Sequence, residues 1–187
     1  MSFSLFKQNM FSYMNRPKSI DSYNDFAKKL TDEYDQCIRR GTQTINQIPL
    51  QTPNKELMLT LVTLACSKAL SVKEGQHTFI DDIGKGCVGY WTGATLMTGI
   101  PPIIPAIGAI QNVTTTAAFT INPGTWTPVG PLFPTTDINV FLDRLIMAMQ
   151  IHLTTVSGLY ITISMYPGFP LIPPAPGILN WTGFTVP

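Results

Sequence analysis

Charge is what this sequence has least of. Lys, Arg, Asp and Glu make up 12% of the residues, about half the ~25% share common in soluble domains. The shortage is uneven, because after Lys85 the only residues of these types are Asp137, Asp143 and Arg144. A net charge of +1 provides no basic face, so no nucleic-acid partner is expected. Cysteine is scarce too. Cys37, Cys66 and Cys87 lie far apart in helix-patterned stretches, which argues against a disulfide framework and reads as three small buried hydrophobes. His77 and His152 are not paired with a second histidine or a cysteine at ligand spacing, so no metal or other cofactor is expected. Catalytic motifs are missing as well: there is no nucleophile elbow, phosphate loop or paired-carboxylate site, and no enzyme is expected. Residues 1–7 are too short and polar a stretch for a secretory signal.

Two patterns look like chemistry and have plainer readings. Gly84, Gly86 and Gly89 formally match the dinucleotide-binding glycine spacing. That motif works only between a strand and a helix with an acid about 20 residues on, whereas Asp81-Asp82 spoils a preceding buried strand and the next acid is Asp137. Asp81, Asp82 and Asp143 fall near helix starts, where the helix dipole favours negative charge.

What is plentiful is apolar, with proline and glycine: 44% hydrophobic residues, 16 Pro and 14 Gly in 187 residues. Disorder needs the opposite balance, and this length is enough for one domain with a sizeable core. Residues 1–18 read as a docking arm. Tyr23, Phe26, Ala27, Leu30, Tyr34, Cys37 and Ile38 recur at helical spacing and predict a helix that Gly41 ends. A second helix is predicted with Thr52 as its cap and Pro53 at its first position. It is apolar nearly all round from Leu57 to Leu70, so it is expected to be the core's hub, with Leu61 and Leu64 buried.

A third helix carries Phe79, Ile83, Cys87, Tyr90 and Ala94 in one stripe and Gly86, Gly89 and Gly93 in the next. Each interior glycine costs a helix about 1 kcal/mol relative to alanine, so this stripe points to close packing on another helix. The fourth helix, capped by Thr136 or Asp137, sets Phe141, Leu142, Leu145, Met149, His152 and Leu153 on one side. Pro101, Pro102 and Pro105 forbid helix between. Residues 112–119 and 159–164 read as strands and Asn122-Pro123-Gly124 as a turn. The expected fold class is α+β, mainly helical, with Pro-rich extended segments and short strands.

The C-terminal half also resembles itself. Residues 79–114 and 141–182 each open on Phe-x-Asp, pass through a Pro-rich apolar segment and close on Asn-x-Thr. The second copy carries extra residues near Gly158 to Gly168. The organisation expected is an arm with a charged two-helix segment, 1–78, followed by an uncharged, duplicated helix-plus-extended unit, 79–187, all within reach of a single compact domain.

An 80-residue stretch nearly free of charge implies a surface that something covers. The run Gly168-Phe-Pro-Leu-Ile-Pro-Pro-Ala-Pro-Gly-Ile-Leu-Asn180, in a short Pro/Gly/Thr-rich chain with a docking arm, resembles the minor structural proteins of tailed-phage virions. The resemblance is one of general character and transfers no residue role. It implies a virion subunit that acts by packing against copies of itself and other subunits. Ile103, Ile104, Ile107, Ile110, Leu171, Ile172, Ile178 and Trp181 are the expected interface residues. The alternative is a membrane-inserting or pore-forming protein that uses residues 88–110 and 145–165. About 20 apolar residues span a bilayer, but Pro101, Pro102 and Pro105 interrupt the first candidate, and Gln150, His152, Thr154, Thr155 and Ser157 burden the second.

Overall fold

In the computed structural model the described residues are 2–16, 23–43, 49–71, 78–96, 113–114, 120–128, 137–164 and 175–187. The fold is mainly helical α+β. Five helices are described: α1 (Phe3–Met14), α2 (Tyr23–Ile38), α3 (Lys55–Ser71), α4 (Phe79–Trp91) and α5 (Ile138–Thr155). The strands are β1 (Thr42–Gln43), β2 (Leu50–Thr52), β3 (Thr95–Leu96), β4 (Val113–Thr114), β5 (Thr120–Asn122), β6 (Ser157–Ser164), β7 (Ala175–Thr182) and β8 (Phe184–Thr185). All pairings are antiparallel: β1 with β8, β2 with β3, and a four-stranded sheet in which β6 pairs with β4, β5 and β7.

The arm expected at the N-terminus is helix α1, and it docks on its own chain. Phe3, Phe6 and Met10 fall at helical spacing and are buried against α2 and α5. Asn9 Nδ2 donates to Glu33 Oε2 at 2.8 Å, and Lys29 Nζ reaches Glu33 Oε1 at 2.6 Å. Glu33 is thus a buried carboxylate whose two oxygens both have partners, the condition under which burying a charge is tolerable.

Helix α3 begins later than its sequence suggested. Thr52 belongs to β2, opposite Thr95, and Asn54 is the capping residue, its Oδ1 accepting from Leu57 N at 3.2 Å. Nor is α3 the hub. It buries Met58, Val62, Ala65 and Cys66, but Leu64 is 60% exposed and Leu61 only partly covered. A helix apolar all round has no preferred side, and here one side meets water.

The centre is α4, which buries Ile80, Asp82, Ile83, Gly84, Gly86, Cys87, Gly89, Tyr90 and Trp91. It packs on α3 where the chain has no side chain of its own. A Cβ on Gly86 would stand 2.8 Å from Val62 Cγ2, and one on Gly89 would stand 2.8 Å from Leu61 Cδ1. Gly93, expected on the same stripe, does not pack there. It lies past the end of α4 at φ +72, with nothing within 4 Å of where a Cβ would be, and so serves the left-handed turn that stops the helix.

Beyond α4 the core continues through aromatic contacts. Tyr34 meets Tyr90 edge-on at 5.0 Å, and Trp91 meets Phe184 of β8 at 4.9 Å. Gly41 lets β8 approach, since a Cβ there would collide with the Phe184 ring and the Thr185 carbonyl.

The two halves of the apparent duplication meet at their first residues: Phe79 and Phe141 stack at 6.0 Å with an interplanar angle of 18°. Their closing residues take different places, because Thr114 pairs with Ile163 and Thr182 with Ser157, at opposite ends of β6. Part of the stretch taken as extra in the second copy forms β6 itself. The Pro-rich segments between lie largely outside the described residues.

Candidate interaction surface

The uncharged half presents its described surface through α5 and the adjoining end of the four-stranded sheet. Asp137 starts α5, its Oδ1 accepting from Asn139 N at 2.8 Å and Val140 N at 3.4 Å. From there the helix splits by period. Leu142, Leu145, Met149, His152 and Leu153 face the core, while Val140, Met147 and Ile151 recur seven and four residues apart on the outside. Met147 is 50% and Ile151 41% exposed. The charge beside this stripe is Asp143, paired with Lys7 of α1 at 2.6 Å, and the half-buried Arg144.

After Val156 the chain turns into β6, and alternation sets which residues face out. Ile121, Gly158 and Trp181 lie in one cross-strand row, and Ile121 and Trp181 are buried. The rows on either side bring out Asn122, Leu159, Asn180 and Thr182, which with Ser157 line a shallow depression of about 330 Å³. Gly158 and Trp181 complete the lining, which carries amides, hydroxyls and apolar groups and no charge. Leu159 is 43% exposed, a further large apolar side chain left uncovered in this half.

The expected interface residues fall differently. Trp181 is 3% exposed and belongs to this chain's own core. Its position in β7 turns it inward while Asn180 and Thr182 point out. Ile178 pairs with Ile161 within the sheet. Ile103, Ile104, Ile107, Ile110, Leu171 and Ile172 lie outside the described residues. The residues that sequence reasoning passed over are Val140, Met147, Ile151 and Leu159; the seven-and-four spacing on α5 was the signal available for the first three.

Ionisable groups inside the molecule serve the fold. Asp35 accepts from Tyr90 Oη at 2.8 Å and from Arg39 Nε at 2.9 and 3.1 Å, with Lys55 at 3.5 Å. Burial, then the adjacent Asp35 charge, holds the Tyr90 phenol well above its ordinary range. Asp82 accepts from Lys68 at 2.6 Å and from Thr78 at 2.9 Å, and pairs with Lys85. Burial alone would raise its pKa, but these hydrogen bonds outweigh burial and lower it. The three cysteines are free and buried, and burial pushes the Cys37 and Cys66 thiols up to about 11, far from the reactive range.

Among the described residues no cluster of three His, Cys, Asp or Glu side chains could hold a metal. Nor, among them, is any helix long and apolar enough to cross a membrane. Both candidate spans break: α4 stops at Trp91, and α5 stops at Thr155 where β6 takes over. No family model, curated protein or solved structure matches this chain.

Proposed function

We propose that this chain is a structural subunit of a large protein assembly, a virion of the tailed-phage kind in compositional character. In this reading it works by packing against copies of itself and other subunits. The observation that carries it is the outer stripe of α5, where Val140, Met147 and Ile151 are exposed in a half of the sequence almost without charge. Surfaces of freely diffusing proteins intersperse charge with such residues. Leu159 is exposed on the sheet as well, and the amides and hydroxyls around it supply neutral hydrogen-bonding groups for a rim. Covering the exposed remainder of each of these side chains contributes about 1 kcal/mol. A useful contact therefore needs many copies of it, as a repeating assembly provides.

The test is to express the full chain without detergent and measure its mass in solution, alone and with Met147→Glu and Ile151→Glu together. The wild-type chain is expected to associate. The double variant should be smaller with unchanged helix content, since both side chains already face outward. A wild-type chain that stays monomeric at high concentration refutes the reading. Recovery only by detergent extraction from membranes would favour the membrane alternative instead.

A further inference from the structure

His152 occupies an unusual place for an ionisable group. It is 0% exposed on the inner face of α5. Its Nε2 lies 2.9 Å from the Pro123 carbonyl oxygen, which can only accept, so Nε2 carries the proton. Its Nδ1 is buried with no hydrogen-bond partner among the described residues. As a neutral ring it leaves only a lone pair unmatched. As a cation it would bury an unmatched N–H together with a charge, which is far worse.

The segment that seals this histidine is 120–128, and it crosses from the sheet to both neighbouring helices. Gly124 turns at φ +75, with its N–H bonded to Asn122 Oδ1 at 3.0 Å. Thr125 is pinned to Thr155 of α5 by its N–H, which donates to Oγ1 at 2.9 Å; the single hydroxyl proton is shared between the Thr125 carbonyl at 3.2 Å and the nearer His152 carbonyl at 2.7 Å. Trp126 then lies on Gly84 of α4, donates to Asp81 Oδ1 at 3.2 Å and tilts its ring over His152 at 5.9 Å. Past the β5 pairing, the bonds that hold the segment among the described residues are these side-chain bonds and the one from His152 to the Pro123 carbonyl.

Among the described residues no charged group stands ready to take up an imidazolium. On α4, Asp81 is engaged by Trp126 and Asp82 by Lys68 and Lys85, while Cys87 and Tyr90 are buried neutral groups. On α1, Lys7 pairs with Asp143 of α5, and Tyr13 is the other titratable group. Arg144 lies two turns back on α5 itself, and β8 brings only Phe184 and Thr185.

We propose that segment 120–128 is a pH-operated strap, which protonation of His152 releases from α4 and α5. Lifting Pro123 and Trp126 opens the Nε2 side and the ring of His152 to water, and it breaks few backbone ladder bonds, whereas moving α5 would unpick an 18-residue helix. The direction of the dependence follows from the environment. Burial, opposed only by the Pro123 carbonyl, sets the folded-state pKa below the ordinary 6.5. The strap is therefore fully held above that value and loses hold as pH falls from there through the folded value.

Amide hydrogen exchange on the full chain, corrected for intrinsic rates, tests this between about pH 7.5 and about pH 5. Exchange at Gly124 and Thr125 should rise at acid pH by about tenfold or more, with α2 and α3 unchanged. His152→Gln keeps a donor for the Pro123 carbonyl and cannot be protonated, so its strap should be equally protected at both pH values. Because His77 remains in that variant, residual dependence cannot be assigned to His152 and overturns the proposal. A strap whose exchange is unchanged by pH, or helices that open together with it, does so as well. Should His152→Gln not fold, Thr155→Val decides. It removes one pin, so the acid midpoint of opening must move up toward the ordinary imidazole value, and an unmoved midpoint refutes the strap.

Discussion

Replacing Gly84 by alanine separates two effects of opposite sign. In the interior of α4 alanine favours the helix by about 1 kcal/mol. The added methyl, however, would occupy the space now taken by the Trp126 indole. A rigid ring cannot bend away, so it must lift. Lifting breaks the bond to Asp81, worth roughly 1.5–3 kcal/mol for a charged acceptor, and uncovers about half an indole at about 1–2 kcal/mol. The net expectation is a loss of about 1.5–4 kcal/mol, or roughly 3–16 °C in Tm for a chain of this length. Thermal and urea unfolding would measure it, and the emission of Trp126 should shift to the red. The control is Gly89→Ala, whose methyl meets the side-chain ends of Leu57 and Leu61. Both leucines are partly exposed and can rotate, and the cost of moving them offsets the helix gain, so the variant should stay within about 0.5 kcal/mol of wild type. If Gly84→Ala proves as stable as wild type, or Gly89→Ala costs more, the assignment of Trp126 as a fixed cover on α4 is wrong.

Tyr90→Phe removes one donor from buried Asp35 and leaves Arg39 and Lys55 in place. It should cost about 1.5–3 kcal/mol in urea unfolding, and a neutral result would mean that water replaces the hydroxyl. Asp82→Asn tests the sign of a lowered carboxylate pKa. The stability Asp82 contributes is present above its ordinary value and lost as pH falls through the lower folded value, so the variant should be less stable at neutral pH and lose less on acidification. Urea midpoints across the acid range that run parallel for both chains would contradict this.

Much of the fold was legible because helices advertise themselves by period. The stripe Tyr34, Cys37 and Ile38 in α2 and the alternating sides of α5 follow the 3.6-residue repeat, and Asp137 caps where a cap was needed. The glycines of α4 at Gly86 and Gly89 announced a close helix neighbour, though Gly93 did not belong with them. The failures have physical causes. Phe3, Phe6 and Met10 keep helical spacing but lie among polar residues, so α1 looked like a loose arm. Leu57 to Leu70 is apolar on every side, and periodicity cannot then say which side meets water; Leu64 does. Composition alone groups Trp181 with the expected interface residues; its inward place depends on alternation, which only the register with β6 supplies. The outer stripe of α5 was within reach of the same helical reading that found its inner face.

The pairing of β1 with β8 has a consequence for the order in which this chain folds. Thr42 and Thr185 are partners, yet the ladder joining them is only two residues long. Closing so long a loop costs entropy that grows as the logarithm of its length, and so few ladder bonds cannot repay it alone. The contact becomes favourable only once Trp91 is in place to receive Phe184 and Gly41 to admit it. Helices α2, α3 and α4, whose contacts are more local, must therefore assemble first, and β8 closes over them late. Phe184 then contributes to how slowly the protein unfolds, with little influence on how fast it forms.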